Sequence, residues 1–198
     1  MGMVTEMHLR ESAEGGGRFN YRGFHRYLIT LPASGPTVRL SEKEVVFPVL
    51  TALRETGRAH QFDVVAYCFL PDKLVLIIRG RSEESDMKKF LEAFRPASSA
   101  ALGSRLGGPL WARKYLERVL RKTENTKLIA DEIFRLPVKA GMAPDPSAYP
   151  YQGSFVLPPS APPRRDSRTS PRRSPRRSGP PRRPGPSGRP GSPRRRRP

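Results

Sequence analysis

Two apolar runs separated by a tight break dominate the middle of the chain. The stretch DVVAYCFLPDKLVLIIRG, residues 63–80, places β-branched and other apolar residues on both sides of Pro71 and Asp72. Pro71 presets its own φ angle and Asp72 can hydrogen-bond to the local backbone, so the reversal has a chemical cause. Residues 74–78 are apolar at every position, which favours a strand covered on both faces. The sequence therefore predicts two adjacent strands at the centre of a sheet.

Five further segments carry the periodicity of strands or helices. In chain order they are a strand at 21–31, a helix at 42–56, a helix at 83–101, a strand within 110–120 and a helix at 124–135. The resulting order, β-α-β-β-α-β-α, is that of a ferredoxin-like split βαβ sheet with one extra C-terminal helix. We therefore predict an α+β fold in which an antiparallel sheet carries two helices on one face.

Local signals predict where the helices begin and end. Ser41 and Glu44 have the spacing of a capping box for the first helix, and Gly57 is placed to close that helix in a left-handed conformation. Thr123 is the predicted N-cap of the third helix. Pro137 is predicted to end it, because the residue before a proline avoids helical geometry.

Charge divides the chain into unequal parts. The formal net charge is +19, and residues 158–198 contribute fourteen Arg and one Asp to it, or +13. This segment is built almost wholly from Arg, Pro, Ser and Gly, so it has little to bury and is predicted to be a disordered basic tail. We predict a flexible leader at 1–18, a folded domain at 19–157 and the tail at 158–198. Such a charge favours a polyanionic partner.

Cysteine usage and hydropathy narrow the cellular setting. The single cysteine, Cys68, lies within a predicted strand, so the chain has neither a disulfide framework nor a cysteine metal site. No apolar run approaches the roughly 20 residues that cross a bilayer, and the N-terminal residues lack the apolar segment of a signal peptide. We therefore expect a cytoplasmic protein that is associated with the nucleoid and has no membrane partner.

Four segments, in the same order, resemble the single-tyrosine HUH transposases. They are YRGFHRYLITL at 21–31, the strand pair containing CFLPDKLVLII, the stretch GPLWARKYLERVL, and the closing LPVKAGMAPDPSAYPYQGS. The last is similar to the closing stretch of the REP-associated tyrosine transposase branch, with its Pro-Val-Lys-Ala-Gly and Tyr-Pro-Tyr runs. The likeness covers residues 19–155 and implies the HUH transposase fold.

The resemblance implies a specific chemistry. In these enzymes two histidines on one face of a strand bind Mg²⁺ or Mn²⁺, which polarises a phosphate of single-stranded DNA. A tyrosine on the last helix attacks that phosphorus and forms a 5′-phosphotyrosyl intermediate. A polar residue four positions later completes the metal site. Similar members recognise DNA hairpins beside short guide sequences.

This sequence departs from the pattern at each of these catalytic positions. The two histidine positions carry Lys73 and Val75, the tyrosine position carries Glu132, and the polar position carries Leu136. Lysine offers no lone pair when charged, and valine and leucine have no ligand atom. We therefore expect no intact catalytic residue, no metal site and no cofactor. If the fold is kept, Lys73 is expected to face Glu132, with Val75 near Leu136.

Basic residues are the candidate nucleic-acid contacts. The predicted set within the folded domain lies on the second helix and around the fourth strand: Lys88, Lys89, Arg113, Lys114, Arg118, Arg121 and Lys122. In the tail the candidates are Arg164, Arg165, Arg172 and Arg173. Tyr115 is weighed as a displaced nucleophile, although its place in the strand favours packing.

The predicted function is that of a transposase-derived protein which binds single-stranded or hairpin DNA and has lost nuclease and strand-transfer activity. Two alternatives stay open. One is an active single-strand transposase or nickase that uses non-standard residues. The other is an RNA-binding protein, because ferredoxin-like sheets with basic tails also bind RNA. RNA contact through the tail and a homodimer are further partner arrangements that the resemblance leaves open.

Overall fold

The computed structural model describes residues 10–12, 19–35, 38–103 and 108–156, and of residues 10–12 the backbone alone. The elements, in chain order, are β1 (Arg10–Ser12), β2 (Arg26–Pro32), α1 (Lys43–Ala59), β3 (Phe62–Leu70), β4 (Lys73–Gly80), α2 (Met87–Ala100), β5 (Tyr115–Leu120), α3 (Thr126–Phe134), α4 (Leu136–Lys139) and β6 (Gln152–Gly153). The basic tail at 158–198 lies outside the described residues, so its predicted disorder stays a prediction.

The described strands form one antiparallel sheet in the order β1-β5-β2-β4-β3-β6. The predicted hairpin forms, with Leu70 opposite Lys73 across the turn. β2 and β4 lie side by side at the centre between β5 and β3, which is the split βαβ arrangement that the sequence predicts. The two edge strands were not predicted. β1 lies in the segment assigned to a loose leader, and that assignment is wrong for residues 10–12.

Both faces of the sheet are covered, which explains why β4 is apolar at every position from 74 to 78. Side chains of Tyr27, Ile29 and Leu31 on one face join the buried cluster formed with α1 and α2. Side chains of Leu28 and Ile77 on the other face join a second cluster formed with α3. The two helices on one face were predicted, and α3 makes the third layer.

α1 begins and ends differently from the prediction. Its N-cap is Glu42 and makes no side-chain cap hydrogen bond, so the capping box of Ser41 and Glu44 does not form. Gly57 does not close the helix, which continues to Ala59. A Cβ on Gly57 would lie 3.2 Å from the carbonyl oxygen of Phe62, so glycine lets the helix pack closely on β3 and a larger residue would crowd that carbonyl. After α1 it is Gln61, and not Gly57, that adopts a positive φ, at 56°.

α2 begins at Met87, later than the predicted residue 83, because Asp86 caps it. The Asp86 carboxylate accepts hydrogen bonds from the backbone N–H groups of Lys88, at 3.0 Å, and Lys89, at 3.2 Å. The apolar face forms as predicted, with Phe90 and Phe94 fully buried. This cap sets where α2 begins, and therefore where Lys88, in its first turn, lies against the sheet.

Polar side chains fix the start of α3 over the opposite face. Asn125, not the predicted Thr123, is the N-cap, and its side chain accepts from two backbone N–H groups of the first turn. Arg118 pairs with Glu124 at 2.6 Å, and Arg26 of β2 donates to the Glu124 carbonyl at 3.1 Å. The backbone N–H of Arg121 and the Arg118 guanidinium lower the pKa of the Glu124 carboxyl. α3 ends at Phe134, near the predicted Arg135, but Leu136 and Pro137 begin the short helix α4, so the prediction that the residue before Pro137 avoids helical geometry is wrong.

The closing segment is attached to the outer side of β3. β6 pairs with residues 67 and 68 of that strand. The buried Tyr149 hydroxyl donates to the Phe69 carbonyl at 2.6 Å, and burial raises the pKa of Tyr149 to about 12. Tyr149 therefore packs against the sheet.

No helix among the described residues is both long enough and apolar enough to cross a membrane.

Candidate functional site

The two positions that correspond to the family's histidines lie on one face of β4, as their spacing requires. That face is the one covered by α3. Val75 is 4% exposed and belongs to the buried cluster there. Lys73 lies at the start of the strand, and its ammonium is 3.4 Å from the carboxylate of the adjacent Asp72. A cation at the strand end and an isopropyl group inside the cluster therefore occupy the two positions that the sequence resemblance assigns to imidazoles.

The two positions on the helical side do not complete the expected pair. Glu132 is half exposed on α3 and binds Arg135 at 2.8 Å and Lys139 at 2.7 Å. The hydrogen bond from Lys139, with that from Arg135, lowers the pKa of the Glu132 carboxyl. Since Lys73 pairs with Asp72 instead, the expected contact between Lys73 and Glu132 is wrong.

The expected proximity of Val75 and Leu136 agrees with the structure. Leu136, at the start of α4, packs against the same buried cluster that contains Val75. The physical reason for both outcomes is the same. Desolvating an ammonium and a carboxylate is expensive, so both charged groups stay near solvent, while the two aliphatic side chains are drawn into the core.

The donor set at these positions does not fit a divalent metal ion. Mg²⁺ and Mn²⁺ require oxygen or imidazole ligands, and the cluster under α3 is built from aliphatic side chains with one thiol and one phenol. The Cys68 thiol is fully buried, and burial raises its pKa to about 12, so it is protonated at neutral pH. Within the described ranges, no three His, Cys, Asp or Glu side chains converge as a metal site would need.

Lys88, a predicted nucleic-acid contact, is engaged inside the fold instead. Its ammonium lies 3.3 Å from the carboxylate of Glu117 and 3.0 Å from the hydroxyl of Tyr115. It also lies 4.4 Å from the centre of the Tyr21 ring. Glu117 is 3% exposed and Lys88 is partly exposed, so this group is a largely buried ion pair framed by two phenols.

The electrostatics of this group stabilise its charged form. Burial lowers the pKa of Lys88, but the hydrogen bond to Tyr115 and the Glu117 charge outweigh it, so the net shift is upward. Burial and a hydrogen bond to Glu117 raise the pKa of Tyr21. The Tyr115 hydroxyl accepts a hydrogen bond from Lys88 within this group, which agrees with its predicted packing role.

The sequence held a signal for this ion pair. The alternation of β5 places Glu117 on the same inward face as Tyr115 and Val119, and a carboxylate on an inward face needs a cation. The partner could not be read from the sequence, because Lys88 lies on another element, 29 residues away.

The other predicted basic residues do not form one patch. Arg118 lies on the α3 face of the sheet, opposite to Lys88, and pairs with Glu124. Arg113 and Lys114 precede β5, and Arg121 and Lys122 follow it. A six-residue strand spans about 20 Å, so these exposed pairs lie at opposite ends. Lys89 is exposed on α2. The four tail arginines, 164, 165, 172 and 173, lie outside the described residues.

Comparison with known proteins identifies the architecture. No protein-family model matches the sequence, and no curated protein matches it. The structure of a REP-associated tyrosine transposase bound to a REP hairpin matches with a TM-score of 0.60 and 18% identity over 71% of this chain and 82% of that one. A protein of Deinococcus radiodurans R1, provisionally called a transposase, matches with a TM-score of 0.41 and 20% identity over 65% of this chain and 97% of that one. The described part of this chain therefore has the fold of the REP-associated tyrosine transposase, as the sequence resemblance predicted.

Proposed function

We propose that this protein binds single-stranded or hairpin DNA without cleaving it. The fold is that of a transposase whose structure holds a REP hairpin, which supports DNA as the partner class. The observation that carries the second half of the proposal is the composition of the cluster under α3. Val75 and Leu136 occupy two of the positions where metal ligands would be required, and both belong to that apolar cluster.

The remaining two positions support the same conclusion. A nucleophile at position 132 would need an oxygen that can form a stable phosphoester after attack and be released again. Glu132 is a carboxylate held by Arg135 and Lys139, which neutralise it and lower its basicity. Lys73 could contact a phosphate as a point charge, but it cannot hold a metal ion while protonated. These positions favour binding over strand cleavage.

Charge supports a polyanionic partner. Outside residues 158–198 the chain still carries a formal charge of +6, and the tail adds +13. Arginines of such a tail release counterions when they contact phosphates, which gives affinity with little sequence preference. A protein with this activity would act on chromosomal DNA, so the proposal places it in the cytoplasm with the nucleoid.

The proposal is tested by titrating the full chain with a labelled DNA hairpin that carries a single-stranded flank, in parallel with the matched duplex. Mg²⁺, Mn²⁺ or EDTA is present in separate arms, and the DNA is then resolved on a denaturing gel. We expect binding that weakens as salt increases, preference for the hairpin with its flank, and intact DNA in every arm.

Other results would favour the alternatives. A nicked strand that appears with Mn²⁺ and not with EDTA would contradict the proposal and indicate an active nuclease with unfamiliar residues. Tighter binding to an RNA hairpin of the same sequence would indicate an RNA-binding protein. Sedimentation of the complex distinguishes one bound protomer from two.

A further inference from the structure

A cleft of about 360 Å³ lies where α1 meets the start of β3. This is near the β3–β6 edge of the sheet, and β5 lies toward the opposite edge. This volume falls within the roughly 300–1,000 Å³ typical of small-molecule sites. α1 contributes Arg54, Gly57 and Arg58 to its lining, and the closing segment contributes Phe155. Gly57, in the same lining, packs directly on the backbone of Phe62.

Arginines give this cleft a strong positive charge. Arg54 and Arg58 are one helical turn apart, so they share a face of α1 and repel one another. Neither has a carboxylate partner within the described part of the chain. Arg81 lies 3.6 Å from Asp63, but Asp63 also accepts from Arg79 at 2.5 Å. The single carboxylate therefore serves two guanidiniums, and the charged side chains that line the cleft, three arginines and one aspartate, have a surplus of two positive charges.

The wall of the cleft is aromatic. The Arg54 guanidinium lies 4.6 Å from the centre of the Phe155 ring, and the Tyr67 ring lies 5.5 Å from it. The backbone N–H of Phe155 donates to the Val64 carbonyl at 3.1 Å, which holds the ring at the edge of β3. Val156, next to it, is 43% exposed. An aromatic ring and a guanidinium plane are the surfaces on which nucleobases stack.

Folding alone does not account for this arrangement. Repulsion between neighbouring guanidiniums opposes the folded state, and an anion in the cleft would relieve it. A phosphodiester with a base beside it can contact the arginines and also extend the stack of Arg54 on Phe155, whereas a simple anion contacts the arginines alone. In the sequence, the Arg-rich segment 158–198 begins two residues after Val156.

We propose that this cleft binds a single strand of nucleic acid, with backbone phosphates held by Arg54, Arg58 and Arg81 and a base stacked on Phe155. The inference rests on the proposed DNA-binding function and gives that function a specific surface. This surface is separate from the α3 face and from the basic residues around β5.

The test uses the full chain and a fluorescein-labelled dT15 strand, with fluorescence anisotropy measured across a series of salt concentrations. Arg54→Gln/Arg58→Gln is compared with Arg22→Gln/Arg39→Gln, which changes the net charge equally at exposed positions outside the cleft. We expect the cleft variant to lower the slope of log K against log salt by about 1.4, since each single-strand phosphate contact contributes roughly 0.7. The control is expected to change affinity less than twofold.

A second variant tests the stacked base. Phe155→Leu keeps an apolar group at the edge of β3 and is expected to weaken dT15 binding severalfold without weakening binding of inorganic polyphosphate. Photocrosslinking of 5-iodouracil-substituted strand to the wild-type chain is expected to label residues 154–156. Circular dichroism of each variant verifies the fold.

The outcomes separate the two proposals. If the cleft variant and its control bind dT15 equally, the cleft proposal fails while DNA binding stands. If Phe155→Leu affects neither ligand, the cleft is a general polyanion site and the nucleic-acid assignment is overturned. If the wild-type chain binds neither dT15 nor hairpin DNA, both proposals fail.

Discussion

At the scale of single residues, the fold contains one largely buried carboxylate whose cationic partner could not be identified from the sequence. Glu117 is almost inaccessible to water, and its compensating cation, Lys88, reaches it from α2. Removing the cation alone leaves a carboxylate buried without a partner, which is more costly than removing both charges. Lys88 was predicted to contact nucleic acid. In the structure its ammonium neutralises the buried Glu117, whereas the neighbouring Lys89 is exposed.

Replacing Lys88 with Met is therefore expected to destabilise the protein by about 2 kcal/mol, less than for a fully buried pair because Lys88 is 37% exposed. Lys89→Met is the matched control, because Lys89 is exposed, and we expect it to change stability by less than about 0.5 kcal/mol. Urea denaturation measures both. Adding Glu117→Gln to Lys88→Met should recover part of the loss. Equal stability of the two single variants would refute the structural role of the pair.

Buried phenols and the buried thiol predict a dependence of stability on alkaline pH. Burial raises the pKa of Cys68 and of Tyr149 to about 12, and it also raises the pKa of Tyr21 and Tyr67. The unfolded chain therefore loses these protons at a lower pH than the folded chain. The free energy of unfolding is expected to fall as pH increases, beginning near pH 9 for the thiol and near pH 10 for the phenols.

Urea titrations from pH 7 to pH 11 measure this dependence. Cys68→Ala removes the thiol and should delay the onset of the decline by about one pH unit, the difference between an ordinary thiol and an ordinary phenol. A stability that is constant from pH 7 to pH 11 would show that these groups are not buried in the folded chain.

At the scale of elements, apolar periodicity predicted the architecture correctly, whereas the polar capping signals predicted the wrong helix boundaries. The central hairpin and the inward faces of α1 and α2 follow from periods of two and 3.6, which a single sequence displays directly. Caps did not follow, because several residues able to cap precede each helix. Ser41 and Thr123 are also able to cap, but the observed N-caps are Glu42 and Asn125, and tertiary packing decides among them.

Gly57 illustrates the same limit. Glycine near the end of a helical pattern predicts a left-handed closure, yet here it lets α1 approach β3. The resemblance assigned the catalytic positions from the order of the segments along the chain. The expected pairing of Lys73 with Glu132 does not form, because the orientation of exposed charged side chains depends on neighbours such as Asp72 and Lys139.

The caps give a prediction at this scale. Asp86→Ala removes a side chain that accepts two backbone hydrogen bonds at the start of α2, and we expect a loss of about 1 kcal/mol. Ser41→Ala is the control, because Ser41 lies beside the start of α1 without capping it, and should change stability by less than about 0.5 kcal/mol. Thermal or urea denaturation distinguishes them. A larger effect of Ser41→Ala would restore the capping box.

At the scale of the whole molecule, the chain joins a transposase-like domain to a strongly basic sequence. Deleting residues 158–198 lowers the formal charge from +19 to +6. We expect the shortened chain to keep the stability of the domain and to lose at least tenfold in affinity for single-stranded DNA at low salt. The slope of log K against log salt should also become shallower, because fewer counterions are released.

Anisotropy titrations of both chains with the same strand measure this change. Addition of the deleted sequence as a free peptide is the control, and it should not restore affinity to the domain. Unchanged affinity after the deletion would assign all DNA binding to the folded domain and contradict a role for the tail.

The central claim is that the fold persists without the metal and tyrosine chemistry of the transposases that share it. Intact-protein mass spectrometry after incubation with hairpin DNA and Mn²⁺ tests this claim most directly, because a phosphoester-linked strand adds its own mass to the protein. The account predicts a single species at the mass of the free chain, under conditions where anisotropy shows saturated binding. A species heavier by the mass of a DNA fragment, formed with Mn²⁺ and absent with EDTA, would contradict it.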